Sequence, residues 1–186
     1  MPDPYKILVL ITVIAAIVVS FRLSGSSSPG ERRVRAIWRD AAEAFGLRFV
    51  DGHPKLMARM EGVYRGVDVV LSYRIHRHGF DTQLHALCAV RLPEGFSLAP
   101  ASLRRAVQAQ PGRDPEAARR LMAHEAVQRA LAAMAEDGDL HPQLDQEGLL
   151  CVADHRLEDP RDLRRWLDRA ADLMAALGAA QGEGAR

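Results

Sequence analysis

The residues best suited to chemistry are concentrated in one short segment. His76, His78 and His85 lie within ten residues, together with Asp81. Histidine and aspartate are zinc ligands, but zinc needs all of its ligands at about 2 Å from one point. The predicted strand register separates His76 from His85 by about four positions, on the order of 13 Å at about 3.4 Å per residue. We therefore predict a cross-strand pair of His76 and Asp81 on a solvated face instead of a metal site.

Other catalytic motifs are incomplete. The segment His124-Glu125-Ala126-Val127-Gln128 resembles the start of the zinc-protease helix H-E-x-x-H, but Gln128 stands where the second imidazole is required. Ser24 and the serines at 26–28 lie in a flexible stretch without a strand-to-helix elbow to position a nucleophile. Neither a Walker phosphate loop nor a G-x-G-x-x-G fingerprint is present. The sequence predicts no catalytic residue, no metal site and no cofactor.

Composition limits the classes of partner. The chain has 186 residues, and 25 Lys and Arg against 24 Asp and Glu give a formal net charge of +1. Proteins that coat nucleic acid usually carry a basic excess, so we expect no nucleic-acid partner. The length suits one domain of ordinary size.

An apolar segment near the N-terminus predicts a membrane anchor. Ile7 to Phe21 contains no charged residue, and a spanning helix needs about 20 predominantly apolar residues. Tyr5 and Lys6 before this stretch, and Arg22 and Leu23 after it, extend it through interfacial anchoring. We predict a transmembrane anchor over residues 1–23 that contacts the lipid bilayer through residues 5–23. The anchoring side chains include Ile7, Leu10, Ile14, Ile17 and Phe21.

The apolar segment has two alternative interpretations. A secretory signal has a short basic start and an apolar region of about 7–15 residues, but the candidate cleavage sites at 18–20 and 24–26 lack the preferred Ala-x-Ala. A buried core helix would carry a polar stripe, which this segment lacks. More arginines follow the span than precede it, which favours a single-pass protein of the cell membrane with a cytoplasmic domain. A periplasmic or secreted domain is the alternative.

The remaining chain divides into a linker, a domain and a tail. Residues 24–30 form a flexible linker of small residues, residues 31–178 a single domain, and residues 179–186 a disordered tail. Apolar residues recur at helical spacing from Val34 to Phe45, and Gly46 is placed to end that helix. The domain is predicted to be α+β, with helices packed on one face of an antiparallel sheet.

A three-stranded meander is predicted from two turns. A turn at Arg65-Gly66 pairs Tyr64 with Val67, and a turn at His78-Gly79 pairs Tyr73 with Leu84. Both registers place the same alternating apolar residues on one face, which supports a sheet buried on one side. The apolar face comprises Leu56, Ala58, Met60, Val67, Val69, Leu71, Tyr73, Ile75, Leu84, Ala86, Cys88, Val90 and Leu92.

Helix-capping and turn residues predict the helices and the hairpin that follow the meander. Residues 92–100 break the pattern and are predicted to be a connection, and 103–110 is either a short strand or an irregular turn. Asp114-Pro115 starts a helix that breaks near His124, residues 140–153 form a hairpin, and Asp159-Pro160 starts a final helix that ends at Gly178. Cys88 and Cys151 lie in apolar runs and are interpreted as buried thiols, with a disulfide as the alternative.

The polar face of the meander is the predicted interaction surface. Its basic residues are interrupted by Val63, Val70, Leu87 and Ala89, a mixture suited to a partner protein, an anionic lipid headgroup or another element of the same chain. The candidate residues are Arg59, Arg74, His76, Asp81, His85 and Arg91.

The turn segment 62–67 (GVYRGV), the helix start 113–121 (RDPEAARRL) and the anchor resemble an uncharacterised family of bacterial membrane-anchored domains of unknown function. The resemblance implies an anchor and an α+β fold over most of residues 31–178, and it carries no activity, cofactor or catalytic residue. The favoured hypothesis is a non-enzymatic, single-pass anchored interaction or accessory domain with an unidentified protein partner. The alternatives are a small ligand-binding or enzymatic domain using the polar face, and a secreted domain after signal cleavage.

Overall fold

The computed structural model describes residues 29–52, 58–76, 79–87, 90–100, 107–136, 141–153 and 155–184. These residues form four helices and an eight-stranded sheet in which every strand pair is antiparallel, so the predicted α+β class is confirmed. The predicted anchor at 1–23 lies outside the described residues. Within the described ranges, no helix has both the length and the apolar character needed to span a bilayer.

Along the described residues, one helix is followed by six strands, two helices, a two-stranded hairpin and a final helix. The helices are α1 (Pro29–Phe45), α2 (Pro115–Ala123), α3 (Glu125–Glu136) and α4 (Pro160–Gly184). The strands are β1 (Arg48–Val50), β2 (Arg59–Tyr64), β3 (Val67–His76), β4 (Gly79–Leu87), β5 (Ser97–Pro100), β6 (Val107–Gln110), β7 (His141–Leu144) and β8 (Gly148–Ala153). Their spatial order is β1-β2-β3-β4-β8-β7-β5-β6, so β4 and β8 join the meander to the later strands.

The first predicted turn is confirmed. Arg65 and Gly66 both have positive φ, 49° and 82°, which is the backbone of a type I′ hairpin turn. Tyr64 pairs with Val67, as the sequence predicts. The turn also docks on α4, because the Tyr64 hydroxyl donates to Asp168 at 2.8 Å and the Arg65 guanidinium lies 2.9 Å from Asp172.

The predicted register between β3 and β4 is wrong by two residues. Tyr73 pairs with Thr82 instead of Leu84, and His76 pairs with Gly79. The expected cross-strand pair of His76 and Asp81 therefore does not form, and Arg74 stands opposite Asp81. Because side chains alternate with a period of two, a shift of two positions leaves every residue on its predicted face.

The helix start and hairpin predictions hold, and two boundary predictions fail. The Asp114 carboxylate accepts hydrogen bonds from the backbone of residues 116 and 117, and His124 separates α2 from α3 in an extended conformation. The hairpin of β7 and β8 lies within residues 140–153 as predicted. Residues 97–100, predicted to lie in a connection, form β5. Residues 107–110 form β6, which agrees with the short strand that is one of the two interpretations of residues 103–110. The final helix does not end at Gly178 but continues to Gly184.

One face of the sheet and the buried faces of all four helices form a single hydrophobic cluster. Its sheet portion is built from rows of paired residues that cross the strands. The longest row is Gly62, Val69, Ala86, Leu149, Leu144, Leu98 and Ala109, and a parallel row is Phe49, Met60, Leu71, Leu84 and Cys151. Cys151 is fully buried and free, and its burial raises the pKa of the thiol well above the usual range.

Two buried polar side chains hold the segment that leads into α4. The Trp38 indole donates to the carbonyl of Leu157 at 2.9 Å. The Thr82 hydroxyl donates to the carbonyl of His155 at 2.8 Å and accepts from the backbone N–H of Leu157 at 3.0 Å. Trp38 also meets Tyr73 edge-to-face with ring centroids 5.1 Å apart. Helix α1, the sheet and the start of α4 are thereby joined.

Replacing Thr82 by Val tests this junction. The change keeps the shape of the side chain but leaves the Leu157 N–H and the His155 carbonyl without this partner. We expect the free energy of unfolding to fall by about 1–3 kcal/mol, measured by denaturant titration followed through Trp38 and Trp166 fluorescence. Thr82→Ser keeps the hydroxyl and serves as the control. A T82V variant at least as stable as T82S would contradict this account.

Candidate functional site

The polar face of the sheet, here called the outer face, is built from residues that alternate with the core positions. One row across the strands contains Arg48, Glu61, Val70, His85, Leu150 and Gln143, and the next contains Val50, Arg59, Ser72, Gln83 and Val152. Strand β8 therefore contributes Leu150 and Val152 beside β4. The sequence prediction of this face did not include them, because the pairing of β4 with β8 joins segments far apart in the chain.

An ion-paired cluster occupies the β1–β2 end of the outer face. The Glu61 carboxylate accepts from the Arg59 Nε at 2.6 Å and forms a salt bridge with Arg48. The Arg48 guanidinium, with Arg59 as the second partner, holds the pKa of the Glu61 carboxyl below its usual range. Arg59, a predicted interaction residue, is therefore exposed but already paired.

A buried polar pair lies further along β4. Asp81 and Gln83 are only 8% and 9% exposed, and the Gln83 amide donates to the Asp81 carboxylate at 2.8 Å. Asp81 was predicted to lie on a solvated surface, and its burial corrects that expectation. Its neighbours on β3 are Arg74 opposite Asp81 and Ser72 opposite Gln83. The side chains of Arg74 and His76 lie outside the described part of the chain.

The centre of the outer face is more apolar than its ends. Val70, Leu150 and Val152 are half-buried, and His85, which is exposed, lies between Val70 and Leu150. Leu87 follows on the same side of β4 and is 55% exposed. On β2, Val63 is 60% exposed. Exposed large aliphatic side chains beside ion-paired residues are typical of a surface that contacts another molecule.

Arg91, also predicted for this face, lies elsewhere. It follows β4 in a connection and lines a cleft with residues of α2 and α4. The cleft has a volume of about 320 Å³ and is lined by Arg91, Leu92, Pro93, Ala117, Arg120, Leu121, Ala180 and Gln181. The predicted interaction residues are thus divided between the outer face and a separate site beside the helices.

The structure does not bring the histidines together. By the β3–β4 register, His76 and His85 are about six positions apart along the ladder, on the order of 20 Å at about 3.4 Å per residue. Within the described ranges, no three His, Cys, Asp or Glu side chains are grouped closely enough to hold a metal ion. His124 lies at the break between α2 and α3, as its extended backbone shows.

Comparison of the chain with protein-family models, with curated proteins and with solved structures gives no significant match. The function must therefore be argued from the residues and their arrangement.

Replacing Arg48 by Gln tests the ion-paired cluster. A carboxyl whose pKa is lowered in the folded state contributes stability above its unfolded pKa, and that contribution is lost as the pH falls through the folded value. In R48Q we expect the Glu61 pKa to rise toward its ordinary value and this pH-dependent contribution to shrink. The pKa is measured from the side-chain carboxyl ¹³C shift during an NMR titration.

The control for this experiment is Arg113→Gln, which removes a guanidinium paired with Glu94 in a different part of the molecule. It should leave the Glu61 titration unchanged. An unchanged Glu61 pKa in R48Q would show that Arg48 does not determine it.

Proposed function

We propose that this chain is a non-enzymatic, single-pass interaction domain of the cell membrane. In this proposal residues 5–23 form the anchor, the α+β domain lies on the cytoplasmic side, and the outer face binds a partner protein. The observation that carries the proposal is the aliphatic area of the outer face, where Leu87 is 55% exposed at the end of β4 and Val70, Leu150 and Val152 are half-buried in the neighbouring rows.

The anchor is supported by the sequence alone. The segment from Ile7 to Phe21 is uncharged, and Arg22 follows it directly. Arg32 and Arg33 are exposed near the start of α1, soon after the apolar segment in the sequence. Basic residues next to a span favour the cytoplasmic side of the membrane.

The outer face is supported by its chemistry. Its centre offers aliphatic area, and at its β1–β2 end Arg48 and Arg59 share the single carboxylate of Glu61, so the cluster keeps a net charge of only +1. Protein interfaces commonly combine an apolar centre with a polar rim. We therefore expect a partner surface with an apolar centre, and we do not expect a strongly anionic polymer such as nucleic acid.

Cell fractionation tests the anchor. The chain should remain in the membrane pellet after carbonate extraction, with Met1 or Pro2 at its N-terminus by mass spectrometry. Ile14→Arg places a charge at the centre of the span, at a cost of about 2.5–3.5 kcal/mol, and should shift the chain toward the soluble fraction, whereas Ile14→Leu should not. The domain should resist protease in spheroplasts and become sensitive after lysis. A mature N-terminus beyond residue 18 would overturn the anchor.

Cross-linking in intact cells tests the outer face. Leu87→Glu places a charge on the exposed aliphatic surface of the outer face and should reduce recovery of a specific cross-linked partner by about tenfold or more, because an unpaired charge is then held at the interface. Ala132→Glu changes an exposed residue of α3 and is the matched control. Equal recovery with both variants, or no specific partner with the unmodified chain, would exclude the outer face as the binding surface.

A further inference from the structure

The cleft that contains Arg91 is separate from the outer face and has the composition of a small-molecule site. Its volume of about 320 Å³ falls at the lower end of the range of about 300–1,000 Å³ for ligand pockets. Leu92 and Leu121, only 6% and 5% exposed, supply an apolar floor. Ala117 and Ala180 add small side chains that leave the space open.

The walls of the cleft are formed by three separate parts of the chain. The connection after β4 supplies Arg91, α2 supplies Arg120, and the end of α4 supplies Gln181. Gln181 donates a hydrogen bond to the backbone carbonyl of Arg91, which fixes the connection against α4. This contact exists because α4 continues beyond Gly178.

The charged side chains described in the lining of the cleft are all positively charged. Among the residues that the structure describes in the lining, the ionisable ones are Arg91 and Arg120, and both are exposed. In the part of the chain that the structure describes, neither guanidinium has a carboxylate within ion-pair distance, whereas the guanidinium groups of Arg48, Arg65 and Arg113 are paired with carboxylates. A guanidinium binds a carboxylate through two parallel hydrogen bonds.

We propose that this cleft binds a small amphipathic carboxylate, with the carboxylate between Arg91 and Arg120 and a short apolar chain against Leu92 and Leu121. The charge selects an anion, and the buried leucines select an apolar body over a fully polar anion. The ligand class is therefore a short-chain acyl or aryl carboxylic acid.

Hexanoate is the probe, added to the full chain in nanodiscs of uncharged lipid and observed by saturation-transfer difference NMR. After subtraction of empty nanodiscs, we expect saturable binding with a Kd on the order of 1 mM, which is reasonable for so few ligand atoms. Hexanol should bind more weakly by about tenfold, and hexylammonium should not compete. Binding should weaken as salt is raised.

Three variants identify the site. Arg91→Gln with Arg120→Gln should weaken hexanoate binding by about tenfold, while the matched control Arg119→Gln, exposed on the same helix, should leave it unchanged. Ala117→Leu fills the cleft and should abolish binding with both arginines intact. Circular dichroism confirms that each variant is folded.

The proposal is overturned by any of three results. Hexanol binding as tightly as hexanoate would mean that the arginines do not contribute. An equal loss in Arg119→Gln would mean that hexanoate responds only to general surface charge. Unchanged binding in Ala117→Leu, or no saturable hexanoate signal with the unmodified chain, would mean that the cleft is not a binding site.

Discussion

The hydrogen bonds that Trp38 and Thr82 make to residues 155–157 are the constraint on which the rest of the structure depends. They satisfy backbone groups in a buried segment, where an unpaired N–H or C=O would cost about 1–3 kcal/mol. They also hold the segment that leads into α4 against α1 and β4, and α4 itself contacts α1, α2, α3, β3 and β4. Because the Tyr64 hydroxyl and the Arg65 guanidinium reach the same helix from the opposite end of the sheet, α4 is held at two separated places.

This position of α4 gives the domain two surfaces with different chemistry. On the helix side, the end of α4 meets α2 and the connection at Arg91, where an apolar cleft lies beside two arginines. On the outer face, Arg48 and Arg59 are paired with Glu61, and the aliphatic side chains of Leu87 and Val63 are exposed. The first surface is suited to a small charged molecule, and the second is suited to a larger surface of mixed polarity.

The sequence alone predicts the structure correctly where residues close to one another in the chain determine it. The type I′ turn at Arg65-Gly66, the Asp114 cap and the division between the two sheet faces were all predicted, because each depends on residues near one another in the chain. The pairing of β3 with β4 was wrong by two residues, since alternation of side chains defines a face but not a register. The burial of Asp81, the contribution of β8 to the outer face and the cleft all depend on long-range pairing. Nothing in the local sequence pattern specifies such contacts.

The contact between Trp38 and Leu157 also determines when the domain can complete its folding during translation. The two residues are 119 positions apart, and a ribosome adds about 5–20 residues per second. Helix α1 therefore leaves the ribosome roughly 6–24 s before its partner exists, and for that time its apolar side and the meander lack the layer that later covers them. During this interval apolar surface of the nascent chain stays exposed, and the domain completes its folding only after residue 157 has been synthesised.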